Sequence, residues 1–334
     1  MRSNGLPIPQ FAAALCFLLP VLSPAATILA VTDNSTSAVN FFDGSSGTLL
    51  HSTPMPLVNG FAGTPAGIAF GADGNFYVAD QVNSIIDIFD PTSGAYIGNF
   101  IGTGSGASAL YSPNAITFGP DGNLYVANAG PGNFGYINAY QGPTGAKPGE
   151  FVGQFVPPGY GPAFGGLDYP AGMIFHNGYL YVADSNGGEI SRFDALTGTY
   201  SQFVPPGNPP SPLSSPEDVF FDAAGNFYVT DAVENAIYEY DSTGAYVGVF
   251  SFMDIVQPYG MALGPDGNLY VANAGAITVI DALTGATVNS DFVPVNSVLS
   301  PQFLAFSDTP EPSTCTLLGA AALLFAGRRF RSRA

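Results

Sequence analysis

Residues 71–80 read Gly-Ala-Asp-Gly-Asn-Phe-Tyr-Val-Ala-Asp, and this stretch decides the fold because the chain repeats it. Residues 119–128 and 264–273 both read Gly-Pro-Asp-Gly-Asn-Leu-Tyr-Val-Ala-Asn. Weaker copies occupy 176–184, 225–231 and 28–33, and the last of them lacks the turn. Similarity that recurs at a regular spacing indicates an array of like structural units.

The spacing of these copies predicts the kind of unit. Each copy ends in Asp or Asn, and successive copies lie 47, 48, 56, 47 and 42 residues apart, close to the ~40–50 residues of a propeller blade. Each unit fits four strands, with an Asp-Gly-Asn turn between the first two, where Gly supplies the positive φ of a tight hairpin. Hydrophobic residues alternate with period two, and no amphipathic helix is evident. We therefore predict an all-β fold of four-stranded antiparallel blades.

The two ends of the repeat predict how the ring closes. The first unit lacks an inner strand, and residues 301–306 (Pro-Gln-Phe-Leu-Ala-Phe) carry the inner-strand pattern without a unit of their own. Pairing this C-terminal strand with the N-terminal blade gives a six-bladed β-propeller. Closure satisfies edge groups that an open array would expose. We expect the propeller to span 27–308 with no internal domain boundary.

Charge restricts the partners of this region. Residues 27–310 contain two basic and 24 acidic residues, a net charge of −22. Such a surface repels a phosphate backbone, so nucleic-acid binding is excluded. The acidity suits either bound cations or solubility outside the cell, and we favour solubility. Both cysteines, Cys16 and Cys315, lie outside the repeats, which therefore have no disulfide, thiolate metal site or cysteine nucleophile.

The N-terminal segment is predicted to be a secretory signal peptide covering residues 1–26. Arg2 gives the positive start, residues 11–22 form a short apolar stretch, and Ser-Pro-Ala-Ala at 23–26 offers small residues for cleavage. A lipoprotein signal at Cys16 is the alternative, but the large Leu15 before it argues against that. We expect an exported protein.

The C-terminal segment, 309–334, is predicted to be a removable tail. It has three parts in order: the triplet Pro310, Glu311 and Pro312; the apolar run 315–327; and the basic residues Arg328, Arg329, Arg331 and Arg333. The apolar run is short of the ~20 residues of a comfortable membrane span, and on length alone it also suits a core helix. The arginines and the predicted signal peptide favour a short transmembrane segment with its basic end in the cytoplasm.

The tail resembles the PEP-CTERM sorting signal of Gram-negative, exopolysaccharide-producing bacteria. This resemblance implies recognition by an exosortase, cleavage near the triplet, and transient anchoring in the inner membrane before release or transfer to the cell surface. The body resembles NHL-repeat propellers and the related gluconolactonase-like superfamily, through the Gly-x-Asp-Gly-Asn-x-Tyr-Val-Ala-Asp runs over nearly all of 27–308. That similarity is specific for fold and weak for function, since one fold serves many functions.

The mouth of the central channel is the place where we expect function. The residue after the proline of each inner strand is predicted to line it: Ala66, Asn114, Ala171, Glu217, Tyr259 and Gln302. Three of these carry oxygen donors, which Ca²⁺ prefers, so Asn114 and Glu217 are candidate metal ligands. A polar, water-filled mouth is the alternative and is favoured, because the ring offers one carboxylate and two alanines. A lactonase of the superfamily uses a similar set of Glu, Asn and Asp; the match is incomplete, so we assign no catalytic residue.

Two further groups of residues are considered and set aside. The Asp or Asn residues at the ends of the second strands form another ring, which suits either a cation or the backbone groups of nearby turns; we favour the turns. The two histidines, His51 and His176, are expected to be peripheral and unsuited to a general-base role. No nucleophile elbow, phosphate-binding loop or dinucleotide fingerprint is present.

These observations favour a non-enzymatic propeller at the cell surface or in the extracellular matrix that binds a protein or a polysaccharide. A metal-dependent, lactonase-like hydrolase that uses Glu217 and Asn114 at the channel mouth is the alternative. A purely structural spacer is a third interpretation.

Overall fold

A computed structural model describes residues 27–307, apart from 105, 133, 160–165, 208–212 and 294–296. The predicted signal peptide and the predicted sorting tail lie outside the described residues. The described chain is built from β-strands and one 3-10 turn, Gly106–Ser108. None of its helical segments has the length and apolar character needed to cross a membrane.

The strands follow one another with short connections. In chain order they are β1 (Ile28–Asp33), β2 (Ala38–Asp43), β3 (Leu49–Pro54), β4 (Leu57–Val58), β5 (Phe61–Ala62), β6 (Pro65–Phe70), β7 (Phe76–Asp80), β8 (Ile85–Phe89), β9 (Tyr96–Ile101), β10 (Pro113–Phe118), β11 (Leu124–Asn128), β12 (Tyr136–Tyr140) and β13 (Phe151–Val156). They continue as β14 (Pro170–His176), β15 (Tyr179–Asp184), β16 (Glu189–Asp194), β17 (Tyr200–Val204), β18 (Pro216–Phe221), β19 (Phe227–Asp231), β20 (Ala236–Tyr240), β21 (Tyr246–Ser251), β22 (Met261–Leu263), β23 (Leu269–Asn273), β24 (Ala276–Ile280), β25 (Thr287–Val293) and β26 (Pro301–Phe306).

Six four-stranded antiparallel sheets form the blades of a propeller. Blades 2 to 6 each use four consecutive strands, in the orders β6–β9, β10–β13, β14–β17, β18–β21 and β22–β25, and β4–β5 is a separate small hairpin. We call the strands of a blade inner, second, third and outer. The inner strands β6, β10, β14, β18, β22 and β26 contact one another in sequence around the ring, and β26 contacts β6. The predicted six-bladed fold is therefore confirmed.

Blade 1 joins the two ends of the described chain. Its strand order is β26-β1-β2-β3, with Leu29 opposite Phe306 and Asp33 opposite Pro301. The Ile28 N–H donates to Ser307 Oγ at 2.8 Å, and the Ser307 N–H donates to the Ile28 carbonyl at 2.8 Å. The closure predicted for residues 301–306 is thus present, and β26 covers the edge of β1 that would otherwise be unpaired.

The repeated ten-residue motif acts as a locked turn between the inner and second strands. In blade 2 the Tyr77 hydroxyl donates to Asp73 Oδ2 at 2.9 Å, and Asn75 Nδ2 donates to the same atom at 2.7 Å. Gly74 has a φ of +85°. A Cβ atom at Gly71 would lie 2.5 Å from the Tyr77 ring, so the motif needs both glycines. The same tyrosine–aspartate bond recurs at Tyr125–Asp121, Tyr228–Asp222 and Tyr270–Asp266.

The tyrosine of the motif also packs one blade against the next. The Tyr77 ring makes edge contacts with Phe100 of its own outer strand, at 4.8 Å between centroids, and with Phe118 of the next inner strand, at 5.3 Å. Tyr270 does the same with Phe292 and with Phe306 of the closing strand. Edge-to-face aromatic pairs add ~0.5–1.5 kcal/mol each beyond burial. The motif thus specifies both the turn and the inter-blade core.

The propeller has two different faces. The connections that enter the inner strands and the turns from second to third strand lie on one face, which we call the mouth face. The Asp-Gly-Asn turns and the turns from third to outer strand lie on the other, which we call the turn face. Because β1 begins and β26 ends on the turn face, both ends of the described chain leave from there.

The sixth inner strand is shorter than its repeat predicts. It begins at Met261 rather than after Pro258, although the Tyr259 N–H and the Gly260 carbonyl still bond to Ala272 of β23. The Gly260 N–H donates to the Gln302 carbonyl of the neighbouring inner strand at 2.7 Å. A Cβ atom at Gly260 would lie 2.8 Å from Phe303 Cα, so two inner strands approach closely here.

Candidate binding site at the channel mouth

Glu217 is the central residue of the candidate site. It follows Pro216 at the start of β18 and is half-buried. Its Oε1 atom accepts hydrogen bonds from Ser185 Oγ at 2.8 Å and Ser215 Oγ at 2.9 Å. Burial raises the pKa of Glu217 to about 7, although the two serine hydroxyls oppose the rise. The carboxyl group is therefore able to give or take a proton at neutral pH.

Two tyrosines lie close to this carboxyl group. Burial is the main reason that the pKa values of Tyr169 and Tyr259 are raised, and the negative charge of Glu217 raises both further. The two phenols therefore remain protonated at neutral pH and can donate hydrogen bonds. They come from the entries to blades 4 and 6, on either side of Glu217 in blade 5.

Asn114 belongs to the same group of side chains through Gln81. Asn114 is buried; its Oδ1 accepts from Gln81 Nε2 at 2.9 Å, and its Nδ2 donates to the Pro170 carbonyl at 3.2 Å. A hydrogen bond with Gln81 also acts on Tyr169, where it opposes the rise in pKa. Gln81, Asn114, Tyr169, Glu217 and Tyr259, which we call the mouth cluster, are thus linked across blades 2 to 6.

The other predicted mouth residues have less to offer. Ala66 and Ala171 are buried. Gln302 is half-buried, and its Nε2 donates to the carbonyl and hydroxyl oxygens of Ser300 in the connection that enters its own strand. The structure thus relates Asn114, Glu217 and Tyr259 to one another, whereas the hydrogen bonds of Gln302 stay local.

Sequence reasoning missed four residues of this region: Gln81, Tyr169, Ser185 and Ser215. Gln81 and Ser185 directly follow the aspartate that ends a second strand, and Tyr169 and Ser215 directly precede the proline of an inner strand. The repeat register contains both positions. Extending the comparison of units by one residue at each end would have identified them.

The ring of Asp and Asn residues at the ends of the second strands is structural. Asp231 is fully buried and accepts four backbone N–H bonds, from Ser214, Ser215, Val233 and Glu234. Asp33, Asp80 and Asp184 also accept N–H bonds from the connection that enters their blade. The favoured interpretation in terms of turns therefore holds for these aspartates.

Asp218 faces away from the mouth cluster and joins blades 5 and 6. Its Oδ2 accepts from the Met261 N–H at 2.8 Å, and its Oδ1 accepts from the Val219 N–H at 2.9 Å. Burial raises the pKa of Asp218 to about 7. Gly172 packs against it so closely that a Cβ atom there would lie 2.0 Å from Asp218 Oδ1.

The structure also gives the positions of the two histidines and of the possible metal ligands relative to the mouth cluster. His51 lies on the outer strand β3, with its Nε2 3.1 Å from the Thr92 carbonyl. The His176 ring stacks on Phe221, with centroids 3.9 Å apart. Both lie away from the mouth cluster. Within the described ranges, no three His, Cys, Asp or Glu side chains come together as a metal site would require. The hydrogen bonds of the Glu217 carboxyl group come from the hydroxyls of Ser185 and Ser215.

Comparison with known proteins supports the fold. No family model and no curated protein matches the sequence. A chain of the nidogen/laminin complex superposes with a TM-score of 0.65 at 15% identity, covering 84% of this chain and 98% of that one. Virginiamycin B lyase from Staphylococcus aureus superposes with a TM-score of 0.54 at 15% identity, covering 76% of this chain and 78% of that one. The chain therefore shares its fold with a chain of the nidogen/laminin complex and with a lyase, and that fold alone does not assign its function.

Proposed function

We propose that this protein is an exported, NHL-type propeller that binds a polysaccharide of the cell surface or extracellular matrix through the mouth cluster. The observation that carries the proposal is the grouping of Glu217 with Tyr169, Tyr259 and the Gln81–Asn114 pair. Phenol rings offer flat apolar faces with a polar tip, and amide and carboxyl groups match the hydroxyls of a sugar. A surface protein is the other ligand class that fits such a module.

A pull-down from the protein's own matrix tests the binding function. The wild-type domain 27–308 and the variants Glu217→Gln and Tyr259→Ala are compared on immobilised matrix polysaccharide. We expect both variants to lose at least ten-fold in affinity. Glu234→Gln is the matched control, since Glu234 is an exposed glutamate in the same blade, and it should bind like wild type. Equal binding by all four proteins, or no binding by wild type, contradicts the proposal.

A hydrolase is the second candidate, and one observation favours it. The pKa of Glu217 is raised to about 7, near the value that suits a general base at neutral pH. In the lactonase-like version, Glu217 and Asn114 would hold a hard cation such as Ca²⁺, although Asn114 Oδ1 already accepts from Gln81. Calorimetry with Ca²⁺, Mg²⁺ and Zn²⁺ and a lactone screen test it. Absence of both heat and turnover excludes it.

The proposal also includes the sorting and cellular location of the protein. We infer from the C-terminal triplet, apolar run and arginines that an exosortase removes the tail and that the mature domain leaves the inner membrane of a Gram-negative cell. Mass spectrometry of the secreted protein tests this. The expected C-terminus lies near Pro310, and Glu311→Ala should retain the full tail. A secreted form that still ends at Ala334 contradicts the sorting proposal and leaves the binding proposal intact.

A further inference from the structure

Arg192 is where blade 4 departs from the repeat. It lies on the third strand, directly opposite Tyr181 of the second strand. None of the equivalent residues in the other five blades is basic: they are Phe41, Ile88, Ala139, Glu239 and Val279. Departures of this kind from an otherwise consistent pattern concentrate at functional positions.

Arg192 is the hydrogen-bond partner of the motif tyrosine in blade 4, and it donates where the aspartate of the other blades accepts. In four other blades the motif tyrosine donates its hydroxyl hydrogen to the turn aspartate. Blade 4 has His176-Asn177-Gly178 at that turn and no aspartate. There burial raises the pKa of Tyr181, and a hydrogen bond with Arg192 opposes the rise. The guanidinium group of Arg192 is thus held by a hydrogen bond to the motif tyrosine of its own blade.

The guanidinium group is fixed in place without a carboxylate partner. Its Cζ lies 4.7 Å from the centroid of the Tyr179 ring and 5.4 Å from that of Phe203, and its Nε donates to Ser201 Oγ at 3.0 Å. In the described part of the chain the ion pair is Lys147–Glu150, and no acid lies within ion-pair distance of Arg192. Guanidinium held on aromatic faces is pre-organised, and its planar N–H donors match a carboxylate.

An open pocket of about 390 Å³ lies against Arg192 on the turn face. Its wall is formed by Tyr179, Tyr200, Asp194, Thr197, Thr199 and Ser201. Asp194 accepts three hydrogen bonds within the described chain, all at Oδ1, from the Leu196 N–H and from the N–H and hydroxyl of Thr197. These bonds lower the pKa of Asp194, so it is ionised and can accept further donors at Oδ2.

We propose that this pocket binds an acidic sugar residue, with the sugar carboxylate on the Arg192 guanidinium and ring hydroxyls on Asp194 and the threonines. The charges explain the choice of ligand. The pocket pairs one cation with one anion, so it suits a ligand that brings a single carboxylate and several hydroxyl donors. The tyrosine rings provide apolar faces for the C–H groups of a pyranose ring. The pocket lies at the opposite end of the strands from the mouth cluster and does not depend on it.

Binding of methyl α-galactopyranosiduronate, a sugar with a single carboxylate, to the domain 27–308, measured by calorimetry, tests the proposal. The uronate and its methyl ester are compared, because the ester keeps the hydroxyls and removes the charge. We expect the wild type to bind the uronate at least ten-fold more tightly than the ester, and Arg192→Met to abolish that preference. Lys147→Met is the matched control, since Lys147 is the other basic residue of the body and is exposed. It should bind like wild type.

Two further measurements keep the test decisive. Thr199→Val changes an exposed side chain of the wall and should weaken binding of the uronate several-fold, which covers the case in which Arg192→Met fails to fold. The mouth is tested by matrix binding in Glu217→Gln and this pocket by the uronate preference in Arg192→Met, so failure at the mouth and failure at this pocket are distinguishable. Equal losses in Arg192→Met and Lys147→Met, no preference for the uronate over its ester, or tighter binding of free glutamate than of the uronate overturns the proposal.

Discussion

Asp87 is a buried carboxyl group to which the repeat gives no partner. It lies on the third strand of blade 2 with no solvent exposure. Neither of its oxygens has a well-formed hydrogen bond among the described residues, although an interaction with the Tyr96 hydroxyl opposes part of the rise in its pKa. The nearby Tyr96 hydroxyl bonds to Asn99. Burial, helped by the charge of Asp80, raises the pKa of Asp87 to about 7. A buried, unpaired charge is costly, so the neutral form is favoured in the folded protein.

The raised pKa makes stability depend on pH. Because the folded state binds the Asp87 proton more tightly than the unfolded state, this residue's contribution falls as pH rises from about 4 to about 7 and stays low above that. Asp87→Asn should remove that dependence and raise the free energy of unfolding at pH 8 by about 2–4 kcal/mol. Urea unfolding of both proteins at several pH values measures the difference.

Asp90 supplies a control of opposite sign. It directly follows β8 and is half-buried, and hydrogen bonds from the N–H and hydroxyl of Ser93 lower its pKa. The stability it contributes is present above about pH 4 and is lost as pH falls. Asp90→Asn should therefore be less stable than wild type at pH 7, and the difference should shrink as the pH is lowered below about 4. A difference between Asp87→Asn and wild type that does not change with pH contradicts the assignment of Asp87.

Gly172 tests how closely the inner strands β14 and β18 pack together. A Cβ atom there would lie 2.0 Å from Asp218 Oδ1 and 2.6 Å from Asp218 Cα, so β14 and β18 must move apart. We expect Gly172→Ala to cost about 1–3 kcal/mol of stability. Gly153→Ala is the matched control, because nothing lies within 4 Å of a Cβ atom at that strand position. Thermal unfolding compares them, and equal melting temperatures contradict the close approach.

At the scale of the element, the unit is held by carboxylates that accept backbone N–H groups. The aspartate at the end of the second strand fixes the connection into the inner strand, and the aspartate of each outer turn closes a local turn. The sequence pattern predicted these strands and turns well, because both depend on neighbours close in the chain. It could not predict that the charge of Glu217 would act on Tyr169, because that interaction joins an irregular connection of one blade to another blade.

The aspartate at the end of a second strand should contribute more to stability than the aspartate of an outer turn. Asp231→Ala removes the acceptor of four backbone N–H groups from two connections, and we expect a loss of about 2–4 kcal/mol. Asp241→Ala removes only bonds within one exposed turn and should cost less. Urea unfolding and hydrogen exchange of residues 213–216 measure the effect. An equal loss in both variants contradicts the distinction.

At the scale of the whole molecule, ring closure depends on one strand. The repeat count and the spare strand pattern at 301–306 were enough to predict the six blades and the shared first blade. The distribution of exposed apolar side chains was not predicted, because it depends on which loops share a face. On the mouth face, Leu57, Phe61, Phe252 and Met253 are each more than 60% exposed.

A pair of truncated chains tests closure. A chain that ends at residue 300 lacks β26. It leaves β1 with an open edge and takes one of two neighbouring inner strands from each of β6 and β22. We expect it to lose cooperative unfolding and to bind a hydrophobic dye. A chain that ends at residue 307 keeps the closing strand and should unfold like the full chain. Equal cooperativity of the two truncated chains contradicts the role of β26.

The pairing of Ile28 with Ser307 also sets the orientation of the molecule on any support. Both ends of the described chain depart side by side from the turn face. A surface that holds the protein by either end therefore meets the acidic hairpin tips, and Glu217 with its tyrosines points outward into the medium. If one end of the chain were cut and the other stayed attached to the surface, the mouth face would still point away from that surface.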